Sequence, residues 1–309
     1  MDAEIRQPPA LIAGDRIVLI SPSGPVWPQQ TQRAIALLES WQLSVAVGRH
    51  AYSRHGFLAG TDTDRLGDLH DALRDPSVRA VLCTRGGYGA QRIVDGIDAS
   101  AVRGDPKIVL GFSDITALHL ALWRSARLAT LHGPAFTLAA EPDPLTVAAL
   151  RDALFSSAPV VVRSRADEPT REVTTAGRAS GRLLGGNLAM LAATTGTLDA
   201  PDTSGAILLI EDIAEPPYKV DRMLTHLSRA GLLTGVAGVA VGQFTDCVGE
   251  RPSVLDVLAE RLHPLGVPVL GGLPLGHGTI RQTVPLGTRA TLDADAGTLT
   301  VAAAVLPRH

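Results

Sequence analysis

Ser113 closes the apolar run KIVLGF, and directly after it Ile115, Leu118, Leu122 and Trp123 recur at helical spacing. A serine at such a strand-to-helix turn can be raised on a sharp elbow as a nucleophile, and it can equally be an ordinary N-cap. Ile115 stands where the usual G-x-S-x-G elbow carries its second glycine, so this segment alone favours the cap. Serine catalysis also needs a base, an acid to orient that base, and donors for the oxyanion. Glu211 follows the apolar run ILLI and ends a predicted buried strand. It could hold a base, cap the loop and helix beyond it, or pair with Lys219 or Arg222. Asp212, Glu215 and Asp221 lie close by. If the strand persists to Glu211, Asp212 turns to the opposite face and Glu215 is left to the loop. His277 lies in PLGHGTIR, where Gly276 and Gly278 free the backbone to turn sharply and present the imidazole.

The elements that would position these groups follow from periodicity. Short strands at RIVLI (from residue 16), LSVAVG, VRAVLCT, KIVLGF and ATLHG alternate with helices, one of them over residues 62–74. That alternation implies a parallel, helix-covered sheet in an N-terminal domain spanning 1–155. Residues 156–180 read as a connection, and 181–309 as a C-terminal mixed α/β domain. In the latter, GRLLGGNLAMLAATTGT reads as a turn and helix, GAILLIED as a strand, and the tail as terminal antiparallel strands. Open α/β sheets bind ligands beyond the carboxyl ends of their strands, which singles out Ser23, Arg85-Gly86-Gly87, Ser113, Glu211 and His277. Among nine histidines, only His132 and His277 follow strands into such positions.

TRGGYGAQR matches neither the dinucleotide fingerprint nor the triphosphate loop, and a Gly86–Gly87 backbone near Ser113 would better serve an oxyanion hole. GRLLGGN could make an anion-binding turn. There is no metal-ligand spacing, so no metal is expected. A net charge of -3 and 4% aromatic residues argue against nucleic acid as a partner. Cys83 and Cys247 lie far apart, which argues against a disulfide scaffold. With no basic leader and no run of 18 apolar residues, the expectation is a cytoplasmic protein with no membrane partner.

Taken together, GDRIVLISPSGPV, TRGGYGAQRIVDGID, KIVLGFSDITALHLAL, HGPAF, GRLLGGNLAML, ILLIEDIAEPPYKVDRML and GLPLGHG...VPLG resemble the serial motifs of the LD-carboxypeptidases. That serine peptidase family holds the muramoyl-tetrapeptide carboxypeptidases and the microcin C immunity hydrolases. The resemblance runs from about residue 14 to 290 and implies a Ser113–Glu211–His277 triad. It further implies a Rossmann-like first domain and an active site in the cleft between the two domains. The backbone of Asp114 and of Gly86 and Gly87 falls where the family places its oxyanion hole. No cofactor is implied, and a homodimer is. The implied reaction is hydrolysis of the terminal L,D-amide of murein tetrapeptide, releasing D-alanine in cell-wall recycling. A carboxypeptidase must anchor its substrate's terminal carboxylate, and Arg85 and Arg281 are both candidates for that task. The runner-up substrate is a peptidyl- or aminoacyl-nucleotide amide. From other classes come a two-lobed small-ligand binding protein and an α/β-hydrolase esterase, whose elbow would normally keep the second glycine.

Overall fold

The computed structural model describes residues 4–134, 142–249 and 251–308; Ala135 and Phe136 of the HGPAF motif lie outside the described residues. The chain divides into two compact units, Met1–Ser157 with Ala303–His309, and Ala158–Ala302.

The first unit runs β1 (Arg16–Ile20), α1 (Pro28–Ser40), β2 (Ser44–Val47), α2 (Asp62–Arg74), β3 (Val78–Cys83), α3 (Ala99–Gly104), β4 (Ile108–Gly111), α4 (Thr116–Ala126), β5 (Thr130–His132) and α5 (Pro144–Phe155). Its strands lie in the order β5-β4-β3-β1-β2, each parallel to its neighbours. This is the 2-1-3-4-5 doubly wound order and not the 3-2-1-4-5-6 order of a dinucleotide-binding Rossmann sheet. The order reverses between β1 and β3, so the loops leaving those two strands flank the switch point where such sheets take ligands.

Successive strand residues point to opposite faces, and the apolar runs therefore feed two cores. Ile17, Leu19, Ala80, Leu82, Ile108 and Leu110 pack with Leu38 of α1 and Leu150 and Leu154 of α5. Val18, Ile20, Val81, Cys83 and Val109 pack with Leu69 and Leu73 of α2 and Leu118 and Leu122 of α4. Beyond Gly87 the chain forms two single 3-10 turns, Ala90–Arg92 and Val94–Gly96.

In the second unit come β6 (Val160–Arg163), β7 (Arg178–Asn187), α6 (Leu188–Thr194), β8 (Ile207–Ile213), α7 (Pro217–Arg229), β9 (Gly238–Thr245), α8 (Val254–Leu262), β10 (Val269–Leu270), β11 (Val284–Leu286), β12 (Arg289–Asp293) and β13 (Thr298–Val301). A mixed sheet follows the order β10-β9-β8-β7-β12-β13-β6. It is parallel from β10 to β7 and antiparallel from β7 to β6. GRLLGGN is thus strand and not turn. Its glycines fit because Gly185 takes φ +118° and a side chain there would collide with the Leu209 carbonyl of β8.

Two boundaries differ from expectation. Residues 158–180 are built into the second unit, where β6 pairs with β13 and the Thr170 hydroxyl bridges the Gly242 carbonyl and the Gly272 N–H. Residues 303–308 return to the first unit. Leu306 exchanges backbone hydrogen bonds with Pro8 and Ala10, Val305 enters the core, and Arg308 pairs with Asp15 at 2.6 Å. Both cysteines are buried and unpaired. No described helix is long and apolar enough to cross a membrane.

Candidate active site

In the first unit, Ser113 opens a 3-10 turn, Ser113–Ile115, between β4 and α4. The N-cap of α4 is Ile115, and no side chain caps that helix, so Ser113 does not do an N-cap's work. Instead it is held at φ +62°, a left-handed conformation that costs a non-glycine residue about 1–2 kcal/mol. Such strain persists where surrounding contacts over-determine it. The contacts are visible one residue on. The buried Asp114 carboxylate accepts from the Ser23 hydroxyl at 2.5 Å and from the Ala90 N–H at 2.9 Å, tying the turn to the loops after β1 and β3.

Gly86 lies against this turn. A methyl built on it would stand 2.8 Å from Ser113 Cβ, 3.0 Å from Ser113 Oγ and 3.1 Å from the Asp114 nitrogen. The structure therefore brings Gly86 beside Ser113 and the Asp114 N–H, and Gly87 follows at φ +116°. Gly24 donates its N–H to the Gly86 carbonyl at 3.2 Å, joining the loops across the switch point. The Arg85 guanidinium is turned onto backbone, donating to the Gly86 carbonyl at 3.2 Å and the Pro25 carbonyl at 3.4 Å.

Below these loops lies Arg65, fully buried, which donates to the carbonyls of Pro22 and Gly89 and pairs with Asp62. His119 donates from Nε2 to the Gly111 carbonyl at 2.9 Å, and burial pushes its imidazole down to about 4. His132 lies within β5, in register with Gly111, its ring edge-on to Phe112 at 6.2 Å.

The second unit carries the other pair. Glu211 is wholly buried in β8, at a register shift between Ile210 and Asp212 against β9. Bulges of this kind re-aim a side chain. Its Oε2 lies 2.6 Å from His277 Nδ1, and the imidazole keeps 11% exposure. A carboxylate oxygen can only accept here, so Nδ1 carries the proton and Nε2 is left as the basic nitrogen. Gly276, at φ +125°, has no room for a side chain because Glu211 lies against it.

Asp212 goes elsewhere, accepting from the Asn187 amide, the Ala189 N–H and the Ile213 N–H, each at 2.9 Å. Burial pushes its carboxyl up to about 6 against the opposing pull of those donors. Glu215 pairs with Lys219 at 3.3 Å. Arg281 is half-buried, and loss of solvent pushes its guanidinium below the ordinary arginine range.

Sequence reasoning missed Arg65, Glu168 and Gln243. The last two meet at the His277 loop, where Gln243 donates to Glu168 at 2.6 Å and accepts from the Gly278 N–H at 2.7 Å. A glutamine inside the apolar run VAVGQF was the available signal, because a buried amide must find partners.

Comparison with known proteins gives a consistent picture. The profile of the LD-carboxypeptidase N-terminal domain matches residues 17–133, and that of the C-terminal domain matches residues 180–292. A Streptomyces coelicolor protein named as a "putative carboxypeptidase" is 45% identical over 306 residues, covering 96% of each chain. A Bacillus subtilis protein named as a probable murein peptide carboxypeptidase is 40% identical, covering 97% of this chain and 95% of its own. The solved structure of an MccF-like protein from Bacillus anthracis superposes with a TM-score of 0.86 at 26% identity, over 96% of this chain and 99% of its own.

Proposed function

The chain belongs to the LD-carboxypeptidase family of serine-type carboxypeptidases, and from that premise we propose that it releases D-alanine from murein tetrapeptide through Ser113, His277 and Glu211. The observation that carries the reading is the 2.6 Å bond from His277 Nδ1 to a wholly buried carboxylate. A histidine so oriented is the base that a serine hydrolase needs. Ser113, strained at a strand-to-helix turn and crowded by Gly86, is the nucleophile that supports it in the other unit.

In this mechanism Ser113 Oγ attacks the last amide carbonyl while His277 Nε2 takes its proton. The oxyanion accepts from the backbone N–H groups of Asp114 and the Gly86–Gly87 segment. His277 then returns the proton to the departing D-alanine nitrogen, and a water, deprotonated by the same imidazole, hydrolyses the acyl-enzyme. Glu211 holds the productive tautomer and stabilises the imidazolium. Arg85 and Arg281 are both candidates for the substrate's terminal carboxylate, and the Arg85 guanidinium is turned onto the carbonyls of Pro25 and Gly86. The same reading makes the enzyme a cytoplasmic, cofactor-free homodimer.

The murein substrate is preferred over a nucleotide amide because the relative named for murein peptide is 40% identical, against 26% for the MccF-like protein. The deciding experiment measures D-alanine release from L-Ala-γ-D-Glu-diaminopimelate-D-Ala in parallel with cleavage of an aminoacyl-nucleotide amide. Release from the tetrapeptide should fall by about 10⁴–10⁶ in S113A, the scale on which a triad nucleophile acts. Turnover of the nucleotide conjugate alone would overturn the substrate, and undiminished release by S113A would overturn the mechanism.

A further inference from the structure

Gln243 is 2% exposed in β9, between Gly242 and Phe244. Its side-chain oxygen accepts from the Gly278 N–H at 2.7 Å. Its Nε2 donates to the Ile280 carbonyl at 3.1 Å and to the Glu168 carboxylate at 2.6 Å. Its own backbone N–H donates to the Leu275 carbonyl at 2.8 Å. One residue therefore grips the loop two positions before His277, one position after it and three positions after it.

The loop needs such a grip. Gly276 and Gly278 flank the histidine, and glycine loses more conformational freedom on ordering than any other residue. The space at Gly278 is already taken by the Gln243 amide, which a side chain there would strike. The amide's orientation is also unambiguous. Flipped, its oxygen would face the Glu168 carboxylate and the Ile280 carbonyl, and its NH₂ would face an N–H group. Glu168 reaches this position from the 156–180 stretch read from sequence as a connection, seventy-five residues away in the chain.

We infer that Gln243 is a positioning residue, which holds the His277 imidazole on Glu211 by clamping residues 275–280, and that Glu168 keys the clamp by fixing the amide's orientation. The inference rests on the reading of His277 as the catalytic base. Without the clamp the glycine-flanked loop can carry the imidazole away from its 2.6 Å contact. A displacement on the order of 1 Å costs an enzyme about 10²-fold in rate.

Two readings test this on the full-length protein. The first is the low-field proton resonance of the Glu211-bound imidazole N–H, assigned by its loss in H277A. The second is kcat and KM for D-alanine release from the tetrapeptide. Gln243→Leu keeps the bulk and removes the side-chain bonds. It should broaden or abolish the resonance and lower kcat by about 10–10²-fold, with KM within about threefold of wild type. Glu168→Ala should move both readings the same way by less, and Glu168→Gln, which still offers an oxygen to Nε2, should restore most of each.

Wild-type resonance and kcat in both Q243L and E168A would overturn the inference. So would a fall in kcat with the resonance unchanged, since the loss would then not run through the Glu211–His277 bond. Should Q243L fail to fold, E168A alters a half-buried residue and decides by the same readings. Failure of the catalytic reading itself looks different. There S113A retains its activity, while the resonance still reports on the clamp.

Discussion

A single methyl group at position 86 should disable the enzyme without unfolding it. On Gly86 that carbon would stand 2.8 Å from Ser113 Cβ, whereas carbon atoms sit comfortably at about 3.5–4.0 Å. One partner must therefore move by roughly 0.7 Å or more. Ser113 is badly placed to yield, because its φ of +62° already lies in a restricted region and the next side chain is bonded to Ser23 and Ala90. The same methyl would lie 3.1 Å from the Asp114 nitrogen, inside the shell of about 2.7–3.1 Å where an oxyanion would sit. Loss of one oxyanion donor costs about 10²–10³ in kcat, and a misplaced nucleophile about 10². One atom causes both effects, so they do not multiply, and Gly86→Ala should lower kcat by about 10²–10³-fold. Overpacking of this kind costs about 1–3 kcal/mol, which a domain of ordinary stability survives. D-alanine release and urea unfolding of the same preparation supply both numbers. A folded G86A with wild-type turnover would refute the placement of Gly86 against the proposed nucleophile.

Gly67, in the middle of α2, has nothing within 4 Å of a built methyl, so Gly67→Ala should raise stability by about 0.5–1 kcal/mol and leave turnover alone, as urea unfolding and the same assay would show. Asp212 gives a pH signature opposite to that of most carboxylates. Burial holds its carboxyl at about 6 in the folded state, above the ordinary aspartate value of about 3.9, so the folded state binds the extra proton between those values and this group's contribution is lost as pH rises through them. The stability of wild type relative to Asp212→Asn should therefore fall by roughly 2–3 kcal/mol from pH 4 to pH 7 and level off above. A flat or rising difference in urea titrations would refute the burial argument.

Much of the first unit was legible because its sheet is parallel and covered on both faces. Each strand is a short apolar run, each crossover is amphipathic, and neighbouring elements are close in sequence. Glu211 and His277 were legible for a similar reason: one ends a buried run, and the other lies between two glycines just beyond another. The remainder depends on long-range pairing, which leaves no local trace. β6 finds β13, β7 finds β12, and residues 303–306 find Pro8 and Ala10, each across more than a hundred residues. The glycines of GRLLGGN misled because glycine usually marks a turn, whereas here close approach of β7 to β8 excludes a side chain. Arg65 and Glu168 sat in polar stretches where a charged residue carries no signal of burial or of an assigned partner.

In both units the candidate reactive side chain stands on backbone that would not hold its shape alone. Ser113 occupies a left-handed conformation, and His277 lies between two glycines. In each case a neighbour's side chain supplies the restraint by bonding to backbone. Asp114 accepts from Ala90 as well as from Ser23, and Gln243 spans Gly278 and Ile280. Hydrogen bonds to a charged group contribute about 1.5–3 kcal/mol each, enough for the two on Asp114 to offset a left-handed serine. This division of labour leaves the holding of the two loops to Asp114 and Gln243, so a substitution at Ser113 should remove chemistry while sparing structure. Substitutions at Asp114 or Gln243 should loosen the geometry instead, and the two classes are separable by whether stability and kcat fall together.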